Sequence, residues 1–265
     1  MLRSVTVNGT TIVVHQDGYE GYWMGVEAGR WEPETFRALD RLLRRDWRMV
    51  DIGAWIGPLT LYAARKCRSV DSYECDPVAL RVLRRNLDEN HDISGKVTLY
   101  EFALGEEDGF VTLYSRTLGN SESSMLRRHE RDGQVLECAQ SFTCGVRDVR
   151  KLFGDRGYAA DDMTFVKIDI EGAEFSLVGR LRPLIPESRC VWCVSVHELN
   201  VNPTQVPAAP VRAAELIRLL DAFAALNWFD MRLQPLAKAD VLSAIISGQW
   251  PIHQTFLFSH RESLT

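Results

Sequence analysis

Three clusters in this 265-residue sequence combine residue types and spacing that could do chemistry. The first is Asp51-Ile52-Gly53-Ala54-Trp55-Ile56-Gly57, an apolar run turning into glycines just ahead of Pro58. A glycine after a strand lets the backbone turn sharply and lets a ligand approach where a Cβ would stand. A helix opening at Pro58 then offers free N–H groups to a polar or anionic ligand. The second is Glu74-Cys75-Asp76-Pro77, whose Glu74 lies 21 residues beyond Gly53. A carboxylate there can accept hydrogen bonds from both hydroxyls of a ribose. Asp76 reads instead as a helix N-cap before Pro77. The third is Lys167-Ile168-Asp169-Ile170-Glu171-Gly172-Ala173-Glu174, three carboxylates crowded where a strand gives way to a helix. The helix dipole favours such charge by ~0.3–1 kcal/mol, which accounts for one or two of the three. It does not account for Asp169 in an apolar run beside Lys167, so Asp169 is a functional candidate. His197-Glu198 ends the apolar run VWCVSV and is expected at the same sheet edge, with His197 titrating near neutral pH.

The glycine turn and the ribose acid, in register, point to a cofactor containing a nucleoside. A dinucleotide fingerprint would place its second glycine at Trp55, where a tryptophan obstructs a pyrophosphate. A nicotinamide-dependent oxidoreductase is therefore the second reading, and a non-catalytic cofactor-binding protein a third.

The elements that must position these residues alternate strand and helix. An N-terminal hairpin spans Val5–His15 with its turn at Asn8-Gly9, and a helix starts at Pro33. Strands are predicted at Met49–Ile52, Val70–Glu74, Val97–Leu104, Phe110–Tyr114, Thr164–Ile170, Val191–Val196, Trp228–Leu233 and Gln254–Ser259. Helices are predicted at Pro58–Lys66, Pro77–Leu87, Ala173–Leu181, Val211–Leu226 and Ala237–Ile246. Residues 115–140 read as a polar loop. Such alternation implies an α/β doubly wound sheet, mostly parallel, whose ligands bind at the carboxyl ends of its strands. Residues 47–265 are expected to form that domain, with 1–46 as a hairpin-and-helix cover.

Composition narrows the classes. Hydrophobic residues make up 46% and charged residues 25%, which excludes a disordered chain. The net charge of −5 and the lack of a basic stripe argue against a nucleic-acid partner. No apolar run approaches the ~20 residues of a membrane span. The start lacks the apolar stretch of a secretory signal, so a cytoplasmic location is expected. The six cysteines read as reduced thiols. Cys190 and Cys193 have knuckle spacing, but residues three apart on a strand face opposite sides.

VDIGAWIGPLTL, SYECDPVALRVLRRNL, FALGEEDGFVTLY and FVKIDIEGAEFSLV resemble, in order, the successive motifs of FkbM-type S-adenosylmethionine-dependent methyltransferases. The resemblance runs from about Val50 to Val178 and departs at Trp55, where the family commonly has asparagine. It implies a class I (Rossmann-like) methyltransferase fold with a seven-stranded sheet, the last strand antiparallel, matching Gln254–Ser259. It implies S-adenosylmethionine as cofactor and transfer of its methyl to a hydroxyl of a small molecule, often a sugar or polyketide of natural-product biosynthesis. A nitrogen or carboxylate acceptor is the alternative. By the same resemblance, Gly53 to Gly57, Trp55 included, hold the methionine moiety, with Asp51 and Glu32 near its ammonium. Glu74 takes the ribose with Cys75 beside it, and Ala103 and Leu104 flank the adenine. Asn120, Ser121 and Ser124 reach towards adenine or acceptor, or belong to an ordinary polar loop. Asp169, His197 and Glu171 form the catalytic group, with Asp169 and Ser121 also counted among the cofactor-binding residues. Metal-free base catalysis by Asp169 or His197 is the first reading, and no residue is assigned to a metal. Mg²⁺ on Asp169, Glu171, His197 and Glu198 is the second. Tyr19, Tyr22, Trp23 and Trp31 read either as a lid over the acceptor or as packing.

Overall fold

The apolar strands assemble into one sheet in a computed structural model that describes residues 1–121, 123–125, 128–131, 134–197, 209–249 and 254–264. The chain opens with β1 (Leu2–Val7), β2 (Thr10–His15), α1 (Glu20–Glu27) and α2 (Pro33–Leu42). There follow β3 (Arg48–Ile52), α3 (Pro58–Lys66), β4 (Ser69–Tyr73), α4 (Pro77–Asp88), α5 (His91–Ser94) and β5 (Val97–Tyr100). Next come β6 (Ala103–Gly105), β7 (Gly109–Ser115), β8 (Arg128–Arg131), β9 (Gln134–Glu137), β10 (Gln140–Asp148) and α6 (Val149–Arg156). The remainder is β11 (Thr164–Ile168), α7 (Glu174–Leu181), β12 (Val191–Val196), α8 (Ala209–Asp221), β13 (Asn227–Phe229), β14 (Pro235–Leu236), α9 (Lys238–Ile246) and β15 (Gln254–Ser259).

The main sheet has the order β14-β13-β15-β12-β11-β3-β4-β5. Strands β5, β4, β3, β11 and β12 are parallel, and β15 inserts antiparallel between β12 and β13. This is the doubly wound, Rossmann-like arrangement with an antiparallel last strand, extended beyond the expected seven strands by the two-residue β14. Strand order reverses between β3 and β11, so the crevice beyond their carboxyl ends is where such a sheet takes its ligand.

Side-chain alternation divides the core into two layers. Met49, Phe165, Val191, Cys193 and Leu257 point to one layer. Val50, Ile52, Val166, Ile168, Trp192 and Phe258 point to the other. Cys190 and Cys193 fall in opposite layers, and all six cysteines are free thiols. Asp51 pairs in register with Lys167, and Lys167 with Cys193, so the alternation aligns these three on the first face.

Several boundaries differ from the sequence reading. The strand expected over Val97–Leu104 breaks after Tyr100, and β6 joins β10 and β7 in a separate three-stranded sheet. The expected loop at 115–140 contains the β8–β9 hairpin, and the nine-residue β10 follows it. Helix α6 went unread although Asp148 caps it, accepting from the N–H groups of Arg150 and Lys151. Helix α1 also went unread. The strand expected at Trp228–Leu233 ends at Phe229, where Asp230 opens a turn by accepting from the N–H groups of Arg232 and Gln234.

The N-terminal hairpin turns at Asn8 and Gly9 with φ of 46° and 74°, the primed geometry expected of Asn-Gly. Two asparagines, Asn86 in α4 and Asn90 ahead of α5, fasten it to the core. Asn90 accepts from Val13 N at 3.1 Å and donates to Val13 O at 2.6 Å and to Asn86 O at 2.7 Å. Asn86 accepts from His15 N at 2.8 Å and donates to Ile56 O at 2.9 Å. With Arg65 Nη2 also donating to Asn90 Oδ1 at 3.1 Å, losing four bonds at one buried site is expected to cost Asn90→Ala about 2–4 kcal/mol in urea unfolding, with m unchanged. A loss under about 0.5 kcal/mol would mean that water replaces these bonds freely.

Candidate active site

Gly53 follows β3 with φ +85°, and a Cβ there would lie 1.9 Å from the Asp169 carbonyl oxygen. Only glycine lets the two strand ends come this close. Gly57 caps α3 with φ +89°, and a Cβ on it would meet Leu83 Cδ1 at 2.2 Å. Between them Trp55 takes a left-handed φ of 50°. That turn aims its backbone N–H at Glu74 Oε2, 2.7 Å away. Glu74 Oε1 accepts from Cys75 N and Asp76 N, both at 2.7 Å. Burial raises the Glu74 pKa against the pull of these three N–H groups. The carboxylate is thus fixed above the glycine turn, in the wall of a cavity of about 350 Å³.

That cavity is mainly apolar. Cys75, Phe102, Ala103 and Leu104 line it opposite Ile52 and Ile170. Its cover is the segment after β7, which Asp76 anchors. Asp76 Oδ1 caps α4 as expected, while Oδ2 accepts from Gly119 N at 2.8 Å and Ser123 Oγ at 3.2 Å. Gly119 O in turn accepts from Trp55 Nε1 at 2.7 Å and the Tyr19 hydroxyl at 2.9 Å. This second role of Asp76 had no signal in the sequence. Asn120, Ser121 and Ser123 face the cavity, whereas Ser124 is buried and pairs back to Tyr114.

A second cavity of about 180 Å³ is lined by Trp31, Glu32, Asp51, Lys167, Ser195 and His197. Gly53, Trp55, Ser121, Asp169 and Glu171 line both cavities and mark where they meet. Aromatic rings wall the N-terminal side: Tyr19, Tyr22 and Trp31 lie 5.8, 4.4 and 6.3 Å from Trp55. Trp23 is wholly buried in the core, which makes it packing.

Charge is concentrated in this second cavity. Lys167 is buried, with Nζ 3.4 Å from Asp51 Oδ1, 3.4 Å from Asp169 Oδ2 and donating to Gly53 O at 3.1 Å. Burial works to lower its pKa, but Asp169, Asp51 and Glu32 hold it well above the ordinary lysine value. For Asp169 burial works upward, and Lys167 and His197 outweigh it to leave the carboxyl below its usual range. Glu32 sits at the N-cap of α2 in left-handed backbone with φ 39°. Burial and then Asp169 push its carboxyl up to about 7, with Lys167 and a hydrogen bond to Thr35 opposing. Asp51 Oδ2 accepts from Thr60 Oγ1 at 2.6 Å, while its buried Oδ1 has no hydrogen-bond partner among the described residues.

The three carboxylates of the KIDIEGAE segment separate by role. Glu174 is buried and accepts from Ile170 N at 2.9 Å, Gly172 N at 2.8 Å and His197 Nδ1 at 2.7 Å. It is the structural one, at the start of α7. Asp169 and Glu171 face the opposite ring nitrogen, Nε2, at 3.4 and 3.7 Å. Burial acts to lower the His197 pKa, but Glu174, Asp169 and Glu171 push it up to about 10. The neutral imidazole expected near pH 7 is thus replaced by an imidazolium. Glu198 and residues 199–208, expected to help build an acceptor pocket, lie outside the described residues. The sequence marked Lys167 and Glu174 as neighbours of Asp169 without a role of their own; the alternation Lys167-Asp169-Glu171 was the visible trace of the ion pair.

No family model matches the chain, and no curated protein matches it. Solved structures do. Methyltransferase FkbM from Methylobacillus flagellatus KT is 17% identical with a TM-score of 0.46. The match covers 89% of this chain and 54% of that one, so this chain spans about half its length. Protein SMU.1697c of Streptococcus mutans, solved in complex with SAH, is 8% identical with a TM-score of 0.42, over 84% of this chain and 94% of that one. An rRNA methylase from Streptococcus thermophilus is 10% identical with a TM-score of 0.41, over 86% and 95%. At these identities the likeness concerns the fold alone. Among the described residues no helix is long and apolar enough to cross a membrane.

Proposed function

We propose that this chain is an S-adenosylmethionine-dependent methyltransferase acting on a hydroxyl of a small molecule. One observation carries the reading: an apolar cavity with a fixed carboxylate in its wall meets a charged cavity at Asp169. The first suits a nucleoside, with Glu74 on the ribose hydroxyls and Cys75, Ala103 and Leu104 along the adenine. The second suits the amino-acid end, with Asp51 and Glu32 near the ammonium and the Gly53–Gly57 turn along the methionine chain. The sulfonium then falls at the junction, beside Trp55, Ser121, Asp169 and Glu171.

Methyl transfer is an in-line displacement, and the cofactor supplies the reactive methyl. A hydroxyl oxygen attacks it, the C–S bond breaks, and its electron pair stays on sulfur to give S-adenosylhomocysteine. The attacking hydroxyl becomes strongly acidic as the new C–O bond forms. Even a carboxylate of low pKa can then take its proton, and Asp169 is the group placed to do so. His197, already protonated, is not free to act as the base at neutral pH. The net charge of −5 favours a small acceptor over RNA.

The test is release of S-adenosylhomocysteine from labelled cofactor with a panel of hydroxylated, amine, carboxylate and RNA acceptors. Turnover confined to hydroxylated small molecules is expected, and turnover confined to another group overturns that assignment. Glu74→Gln should raise the cofactor Kd roughly 10–100-fold, the worth of a hydrogen bond to a charged group. An unchanged Kd would remove Glu74 from the ribose.

Glu32 gives the complex a pH dependence. Its carboxyl, faced by Lys167, Asp51, Asp169 and Tyr22, is half protonated near pH 7 in the free protein. An ammonium beside it favours the ionised form, so binding releases a proton and tightens as pH rises. Kd for S-adenosylhomocysteine should fall between pH 6 and 7, by up to about tenfold, and level off above pH 8. Glu32→Gln should bind more weakly and lose this dependence. A wild-type Kd flat from pH 6 to 8 contradicts the assignment.

A further inference from the structure

We propose that Asp169, Glu171 and His197 form a binding site for a divalent cation of the Mg²⁺ or Mn²⁺ kind. This site lies at the junction of the two cavities, so its place in catalysis rests on the methyltransferase reading. One carboxylate oxygen from each acid and one imidazole nitrogen lie within 4.8 Å of one another. His197 Nε2 stands 3.4 Å from Asp169 Oδ1 and 3.7 Å from Glu171 Oε1. Both separations exceed an ordinary N–H···O bond. Ligands ~2.1 Å from a common ion lie ~3.0 Å apart at right angles and ~3.4 Å at tetrahedral angles. Closing on an octahedral ion would draw the two sides from Nε2 in by about 0.4 and 0.7 Å, and the third side, within 4.8 Å, by up to about 1.8 Å.

The ring is oriented as a ligand would need, and an ion bound at Nε2 would displace the proton that the surrounding carboxylates hold there, releasing it to solvent. Buried Glu174 holds Nδ1 at 2.7 Å, turning Nε2 towards the two acids, which is how carboxylates orient metal-ligating histidines. Charge supplies an independent reason. Glu32, Asp51, Asp169 and Glu171 line the second cavity, where among the described lining residues they face two basic side chains, Lys167 and His197. Asp51, which lines the same cavity, has at its buried Oδ1 the Lys167 ammonium at 3.4 Å and no hydrogen-bond partner among the described residues. Two carboxylates and one imidazole, with no thiolate in the set, favour Mn²⁺ or Mg²⁺, and the imidazole favours Mn²⁺ of the two. Three protein ligands leave positions open, so such an ion could hold and acidify an acceptor hydroxyl beside the methyl.

The test is Mn²⁺ titration of the full chain, followed by the loss of the free-ion paramagnetic resonance signal, without cofactor or acceptor. Wild type should bind one Mn²⁺ per chain, competed by Mg²⁺. Glu171→Gln and His197→Gln should each weaken binding at least tenfold. Glu174→Gln should weaken it 10–100-fold through the ring orientation. Folding of each variant is checked by its melting curve. Mn²⁺ that binds wild type no better than His197→Gln, or not at all, overturns the site. If S-adenosylhomocysteine still binds in that case, the methyltransferase reading stands without the metal. Mn²⁺ binding without cofactor binding has the opposite meaning.

Discussion

Lys167→Met is expected to destabilise the protein by about 3–5 kcal/mol at pH 7, the cost of stranding buried carboxylates by removing their partner. Lys167 Nζ lies between Asp51 and Asp169 and also ties the Gly53 carbonyl to the second cavity. Methionine fills a similar volume, so the loss reports charge and hydrogen bonding rather than an empty space. The pH dependence follows from linkage. Without the ammonium, the Asp169 carboxyl in the folded state rises above its unfolded value. The folded variant then binds more protons than the unfolded chain as pH falls, and its deficit shrinks between pH 7 and pH 5. Urea unfolding at the two pH values measures both effects. A deficit below about 1 kcal/mol at pH 7 would mean that water reaches and solvates these carboxylates.

Asp169→Asn is expected to lower kcat about 10²–10⁴-fold, the range for loss of a positioned proton acceptor. The amide keeps the size and planarity of the carboxylate, so the cofactor Kd should stay within a few-fold. Steady-state kinetics with any accepted hydroxyl compound, together with binding of S-adenosylhomocysteine, separates the two quantities. An unchanged kcat would take Asp169 out of the chemistry. A large rise in cofactor Kd at constant kcat would assign it to cofactor binding instead.

What could be read beforehand was what is local in the chain. Gly53, Gly57, Glu74 and the Asp76 cap belong to turn and helix-start chemistry, which a few neighbouring residues determine. Strand periodicity placed Asp169 and His197 at carboxyl ends, and parallel pairing brings those ends together. Register is not local. Asp51 sits beside Lys167 because β3 and β11 are neighbours without a slip, which no single strand states. Glu174 looked like helix-dipole charge, and only the path of β12 brings His197 onto it. The protonated state of His197 follows from that meeting and not from the residue type. Strand β10 gave no clear alternation because Gln140–Asp148 mixes polar and apolar residues and has a single buried position, Cys144. Its pairing with β6 and β7 is what makes it a strand. Helix α1 carries two glycines and only a narrow buried face of Trp23, Gly25 and Val26, so packing rather than propensity forms it.

The central claim is that the paired cavities hold S-adenosylmethionine. Calorimetric titration of the purified chain with S-adenosylhomocysteine, and separately with NAD⁺, tests it most directly. One S-adenosylhomocysteine per chain is expected, with a Kd near micromolar, about −8 kcal/mol, and no saturable heat from NAD⁺. Saturable binding of NAD⁺ with none of S-adenosylhomocysteine, or binding of neither by the folded chain, would contradict it.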